Sequence, residues 1–143
     1  MKTSRRLILA AVAAVLLSSC AAMRDNNVRL GGTLSGAQEV PAVNTAGTGT
    51  LEAVYDKSTR KLGYSVTYSG LTGPATAAHL HGPAAPGQNA GVAVPFANAA
   101  NPIKGEATLT EAQAAELLAG RWYVNVHTSA HPGGEIRGQV TPR

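Results

Sequence analysis

Apolar and polar residues alternate along much of the chain beyond Arg29, and this period of two is typical of β-strands with one buried face. The clearest case is segment 47–71, GTGTLEAVYDKSTRKLGYSVTYSGL, in which two alternating runs flank the polar stretch DKSTRK. We therefore predict a β-hairpin with its turn in that stretch. The buried face is expected to carry Leu51, Ala53, Tyr55, Leu62, Tyr64, Val66 and Tyr68.

Further short strands are predicted for TAAHLHG (76–82), GVAVPF (91–96), KGEATLT (104–110), RWYVNVHT (121–128) and EIRGQVT (135–141). Pro95 assigns its strand to an edge or an end of the sheet. Only TEAQAAELLAG (110–120) is typical of a helix, because Thr110 and Gln113 have the spacing of a capping box. The pattern predicts an all-β domain, a Greek-key β-sandwich or barrel, with one short helix near residues 110–119.

The first 19 residues have the pattern of an export signal. MKTSRR is basic, and the apolar run LILAAVAAVLL is too short to cross a bilayer as a helix, which takes about 20 residues. The segment LLSSC, which ends at Cys20, resembles the lipobox of bacterial lipoproteins, in which the cysteine is lipidated. An ordinary signal peptide cut near Ala21 or Ala22 is the alternative. We expect a lipoprotein signal peptide at 1–19, a lipidated Cys20 with a tether up to residue 28, and a domain at 29–143.

Charge and cysteine content narrow the choice of partners. The chain has 12 Lys+Arg and 8 Asp+Glu, but three of the basic residues belong to the signal segment, so the exported protein is nearly neutral. Its remaining basic residues are scattered, whereas a nucleic-acid interface needs them clustered, so we expect no nucleic-acid partner. Cys20 is the only cysteine, which leaves none for an internal disulfide. The expected location is the cell envelope, with the membrane bound through the lipid and any protein partner unidentified.

All four histidines lie in two short segments, AAHLHGPAAPG (77–87) and NVHTSAHPGGEIRG (125–138). Because alternate residues of a strand share a face, His79 and His81 point the same way, roughly 6.6 Å apart along the strand. In the strand at 121–128, His127 shares a face with Tyr123 and Asn125, opposite the apolar Trp122, Val124 and Val126. We therefore predict that His79, His81 and His127 converge on the outer side of the barrel.

Imidazole clusters of this kind suit copper and zinc rather than calcium or magnesium, which prefer oxygen ligands. His131 lies in the following turn, where it either completes the set as a fourth ligand or faces solvent. The competing interpretation is that the histidines are solvated or structural and bind no metal.

Other polar residues near the histidines have candidate roles. Glu135 and Asn125 are candidates to orient an imidazole by contacting the ring nitrogen that does not bind the metal. Arg137 is a candidate to attract anions to the metal. The alternative for Glu135 and Arg137 is a surface ion pair worth about 0–1 kcal/mol. For Glu39, in SGAQEVP, a role as a polar residue at a strand end is preferred to metal ligation.

Several segments together resemble the CHRD domain, which is found in chordin and in many bacterial exported proteins. They are LSGAQEVPAVNTAGTGT (34–50), LGYSVTYSGLTGPATAAHLHGPA (62–84), GEATLT (105–110) and LLAGRWYVNVHTSAHPGGEIRGQV (117–140). The resemblance implies an all-β, Greek-key-like domain, with either a copper–zinc superoxide dismutase-like or an immunoglobulin-like arrangement. In chordin the domain belongs to an extracellular antagonist of growth factors, which implies an interaction role.

The histidine pattern is also similar to that of copper–zinc superoxide dismutases. That resemblance implies that His79, His81 and His127 hold copper and that Arg137 attracts superoxide. The chain lacks the dismutase disulfide, and Asp25 and Asp56 lie far from the histidines in sequence, so an enzyme of this type would use copper alone. Two hypotheses follow: a lipid-anchored copper- or zinc-binding domain, with or without superoxide chemistry, and a cofactor-free interaction or adhesion module.

Overall fold

The alternating runs of the sequence form the strands of one antiparallel sheet. The computed structural model describes residues 25–143, and all elements named below belong to that range. They are β1 (Asn27–Ser35), a 3-10 helix (Gly36–Gln38), β2 (Thr48–Asp56), β3 (Lys61–Ser69), β4 (Ala75–His81), β5 (Val92–Pro95), β6 (Ile103–Thr108), α1 (Glu111–Leu118), β7 (Trp122–Thr128) and β8 (Ile136–Pro142). The strand order across the sheet is β5-β4-β7-β8-β1-β2-β3-β6.

The predicted hairpin is confirmed as β2 and β3, which pair from Thr48 opposite Ser69 to Asp56 opposite Lys61. Its turn is closed by the Asp56 carboxylate, which accepts hydrogen bonds from the backbone N–H and the hydroxyl of Ser58. The expected apolar face is buried except at Tyr68, which is only partly buried and whose hydroxyl donates to the carbonyl of Ala99.

The sheet curls around one apolar core. β5 and β6 lie at opposite ends of the strand order, yet Val94 of β5 and Ile103 of β6 belong to the same buried cluster. Three connections, β3–β4, β5–β6 and β6–β7, join strands from different halves of the sheet, so the chain passes between the halves three times. The prediction of an all-β, barrel-like Greek-key fold with one short helix is therefore confirmed, and Pro95 ends edge strand β5.

The helix α1 begins where its capping box predicts. The Thr110 hydroxyl accepts from the Gln113 N–H, and the Gln113 side chain accepts from the Thr110 N–H. Ala114 and Leu117 bury one face of the helix against the core. Within residues 25–143 no helix combines the length and the apolar character needed to cross a membrane.

The sheet begins earlier than the sequence pattern suggests. Asn27 and Val28, expected in the tether, already belong to β1 and pair with Asp56 and Tyr55 of β2. The predicted signal peptide and Cys20 lie outside the described residues.

A fully buried carboxylate holds three segments together beside β8. Glu135 is 0% exposed, and its oxygens accept hydrogen bonds from the hydroxyls of Thr45, Thr72 and Thr128 and from the backbone N–H of Thr72. Burial alone raises the pKa of Glu135, but these hydrogen bonds outweigh it and lower the pKa to about 2. The carboxylate thus stays ionised and joins the β1–β2 connection, the β3–β4 connection and β7.

We expect Glu135→Gln to lower the free energy of unfolding by about 2–4 kcal/mol, because one amide oxygen cannot accept all the hydrogen bonds of a carboxylate. Urea denaturation at pH 7 measures the loss. Since the pKa of Glu135 is depressed in the folded state, its contribution is complete above pH 4.5 and is lost as the pH falls towards about 2.

Glu106→Gln is the matched control, because Glu106 forms an exposed ion pair with Lys61 and should change stability by less than about 1 kcal/mol. Equal losses in the two variants would show that the threonine contacts contribute nothing particular to stability.

Candidate metal centre

Three of the four histidines converge because of the register between β4 and β7. Ala77 lies opposite His127 and His79 opposite Asn125, so His79 is the diagonal neighbour of His127 on the same face of the sheet. One ring nitrogen from each of His79, His81 and His127 lies within 4.8 Å of the others. The predicted convergence on the outer face of the sheet is therefore present in the structure.

Two of these rings already have the spacing of metal ligands. Nδ1 of His79 lies 3.0 Å from Nε2 of His127, and the ring centroids are 4.8 Å apart. Nitrogens bound to one ion at 2.0–2.1 Å are about 3–3.6 Å apart. The nitrogen-to-nitrogen distances within the group reach 4.8 Å, and the longest of them involves His81. The His81 ring must therefore shift to complete a three-nitrogen site.

Backbone carbonyls select which nitrogens remain for an ion. Nδ1 of His127 lies 2.9 Å from the carbonyl oxygen of Pro132, and a carbonyl only accepts, so Nδ1 carries the hydrogen and Nε2 keeps its lone pair. That lone pair accepts a hydrogen bond from Nδ1 of His79 in the metal-free site, so the His79 hydrogen must move to Nε2 of its ring before Nδ1 binds an ion. The Ala90 carbonyl oxygen lies 3.0 Å from Nδ1 of His81, and when it accepts a hydrogen from Nδ1, Nε2 is the ligand atom of that ring. This Nε2 lies 3.0 Å from Oδ1 of Asn125.

A stack of three side chains fixes the position of His81. The Tyr123 ring lies parallel to the His81 ring, with centroids 4.8 Å apart, and the guanidinium carbon of Arg137 lies 3.5 Å from the centre of the Tyr123 ring. Because β7 lies between β4 and β8, His81 and Arg137 cover opposite faces of the tyrosine. Tyr123 is therefore immobilised between them.

Contrary to the exposed cluster expected from the sequence, the site is largely buried. His81 and His127 are each 8% exposed, and every residue of β7 is buried. The covering segments are the loop 82–91, which reaches His81 through Ala90, and the turn 129–135, which reaches His127 through Pro132. The loop lies close to the sheet because it begins with glycine: a Cβ at Gly82 would lie 2.2 Å from Cδ1 of Trp122.

Burial favours the neutral forms of His79 and His81. It lowers the pKa of His79, and the neighbouring His127 and His81 lower that pKa further. Burial also lowers the pKa of His81, although the contacts with Ala90 and Asn125 oppose this effect. Neutral imidazoles offer lone pairs to a cation without first losing a proton.

Arg137 does not occupy the solvent-facing position that an anion guide requires. It is 1% exposed, and its guanidinium donates to the side-chain oxygen of Asn89 at 3.0 Å and to the carbonyl of Gln88 at 2.6 Å. Its observed role is to hold the loop 82–91 against Tyr123.

Glu135 also differs from its expected roles, and His131 lies apart from the other three histidines. The Glu135 carboxylate binds threonines rather than an imidazole nitrogen within the described residues. His131 is only partly buried, and the three-histidine group found in residues 25–143 does not include it. Its backbone exchanges hydrogen bonds with Thr128, which closes the turn after β7. Asn125 does contact an imidazole, that of His81, as expected.

The outer-face histidines, their strands and the covering loops all fall within residues matched by the family model of the CHRD domain, residues 30–140. This chain belongs to the CHRD family. No curated protein and no solved structure matches the chain.

The CHRD domain has a buried glutamate near the site that sequence reasoning treated as a strand-end residue. Glu39 follows the 3-10 helix and is 7% exposed, and its Oε1 has no hydrogen-bond partner within residues 25–143. Burial raises the pKa of Glu39 to about 7, although the charge of Arg137 and the polar groups of Asn125 and Val40 oppose the rise. The residues around Glu39 in the sequence do not reveal that it lies near Asn125 and Arg137, because both are distant in the chain.

We expect the stability of the CHRD domain to fall as the pH rises from 4.5 to about 7, by an amount that Glu39→Gln abolishes. The folded state holds the Glu39 proton over this range while the unfolded state has lost it, so ionisation disfavours folding by on the order of 3 kcal/mol. Urea denaturation of both proteins across this range measures the difference.

Glu52→Gln, at an exposed position, controls for the loss of a negative charge. Parallel stability profiles for the wild type and Glu39→Gln would contradict the assignment.

Proposed function

We propose that this CHRD domain binds a copper ion through His79 Nδ1, His81 Nε2 and His127 Nε2. The observation that carries the proposal is the convergence of three imidazole nitrogens within 4.8 Å, two of them already at ligand spacing. The carbonyls of Pro132 and Ala90 support it, because they orient two of the rings as metal-binding histidines usually require.

The donor set favours copper over zinc. A structural zinc ion takes four ligands, whereas this group supplies three nitrogens and neither a thiolate nor a carboxylate within the described residues. Among divalent first-row metals, copper binds nitrogen ligands most tightly. Zinc with an open coordination position is the second choice.

We extend the proposal to superoxide chemistry. A bound copper ion would supply one-electron chemistry, and His79, the most exposed of the three histidines, is where a small reactant would approach. Arg137 would contribute by holding Tyr123 and the loop 82–91 in place, because it does not face the solvent.

The proposed location is the cell envelope. A signal peptide at 1–19 and a lipid on Cys20 would attach the domain to a membrane, with the sheet starting at Asn27. The extracellular character of CHRD domains supports export. Lipidation is tested by mass spectrometry of the protein made in bacteria, where Cys20→Ser should remove both the lipid mass and the membrane association.

We expect the domain comprising residues 23–143 to bind one Cu(II) per chain. Combining His79→Ala with His127→Ala should weaken binding by at least about 100-fold, because it removes two ligands of three. Isothermal titration calorimetry and metal analysis measure affinity and stoichiometry. His131→Ala is the matched control, since it removes a histidine outside the group and should leave the affinity within about 3-fold of wild type.

Unchanged binding by the double variant would refute the metal site and favour the alternative, a cofactor-free interaction or adhesion module. Superoxide turnover is a separate measurement. A rate no faster than that of free copper at the same concentration would remove that part of the proposal.

A further inference from the structure

Both ring nitrogens of His81 face hydrogen-bond acceptors. Nδ1 lies 3.0 Å from the carbonyl oxygen of Ala90, and Nε2 lies 3.0 Å from Oδ1 of Asn125. A neutral imidazole carries one N–H, so it can donate to only one of them. The position of that hydrogen decides whether Nε2 has a lone pair to offer an ion.

The orientation of the Asn125 amide is set by the carbonyl of Gly133. Its Nδ2 lies 3.5 Å from the carbonyl oxygen of Gly133. Glu39 Oε1 and this nitrogen both lie close to the backbone of Gly134. A Cβ at Gly134 would lie 2.3 Å from Glu39 Oε1 and 2.6 Å from Asn125 Nδ2. Since a carbonyl accepts hydrogen bonds, Nδ2 turns towards Gly133 and Oδ1 turns towards His81.

We propose that Asn125, oriented by the Gly133 carbonyl, competes with the metal ion for Nε2 of His81 and so sets the affinity of the site. This inference rests on the proposed metal binding. Without the ion, the His81 hydrogen lies on Nε2 and is donated to Asn125. When the ion binds, the hydrogen must lie on Nδ1, where the Ala90 carbonyl accepts it.

Because Asn125 is buried, replacing its hydrogen bond to His81 by a metal–nitrogen bond costs free energy. Asn125 is 2% exposed, so water cannot readily replace the donor that its Oδ1 loses when the ion takes Nε2. The ion and Asn125 cannot both take Nε2 of His81, so binding replaces this contact. Asn125 is thus a positioning residue that weakens binding and favours release of the ion.

The variant that tests the competition is Asn125→Leu, which removes the amide and keeps a side chain of similar size. Gln139→Leu is the matched control, because Gln139 donates its amide to the carbonyls of Ala84 and Gly120 under the same loop. Cu(II) binding to residues 20–143 carrying Cys20→Ser is measured by calorimetry, since the whole sheet and core lie within residues 25–143. We expect Asn125→Leu to bind about 10-fold more tightly and Gln139→Leu to match the wild type.

A second readout needs no metal. Nitrogen-15 chemical shifts of the imidazole rings at pH 8 report where the His81 hydrogen lies. We expect it on Nε2 in the wild type and on Nδ1 in Asn125→Leu. If leucine prevents folding, Asn125→Ser serves for both measurements.

The outcomes separate this inference from the proposal on which it rests. Failure of every protein to bind copper would refute the proposed function and the competition together. Equal affinities of the wild type and Asn125→Leu would refute the competition alone. A hydrogen already on Nδ1 of His81 in the metal-free wild type would also overturn it, because Asn125 would then have nothing to release.

Discussion

The register of β4 against β7 is the constraint on which the candidate site depends. Antiparallel pairing of Ala77 with His127 brings His79 and His127 together as diagonal neighbours. A slip of one residue would turn each side chain of a strand to the opposite face, which would send the histidines into the core and valines outwards. The apolar packing of Leu80, Val124 and Val126 therefore fixes the register and, with it, the meeting of the rings.

Polar groups buried on the outer face must find partners, and this requirement determines the surroundings of the rings. Loop carbonyls satisfy His81 and His127, the guanidinium of Arg137 binds the loop 82–91, and Glu135 receives threonine hydroxyls. Glu39 is the exception, because its buried Oε1 remains unpaired within residues 25–143. The unpaired oxygen of Glu39 thus lies near Asn125, the residue that contacts Nε2 of His81.

Local pattern was sufficient to predict the strands, the capped helix and the shared face of the histidines. The hairpin β2–β3 and the capping box at Thr110 depend on residues close in sequence, so their signals are contained in short windows. The convergence of His79 with His127 followed from alternation once β4 and β7 were assumed to be neighbours. The burial of that face did not, because the loop 82–91 and the turn 129–135 have no periodicity that reveals where they fold. For the same reason the roles of Glu39, Glu135 and Arg137 emerged only with the tertiary contacts.

The loop 82–91 is joined by hydrogen bonds to the sheet through Tyr123 and Arg137 and to the segment after the 3-10 helix through Asn89, whose amide donates to the carbonyl of Val40. A loop that is bonded at several points keeps His81 covered. His79 is the one ring of the three that is not buried, so it marks the side from which an ion in solution would reach the site.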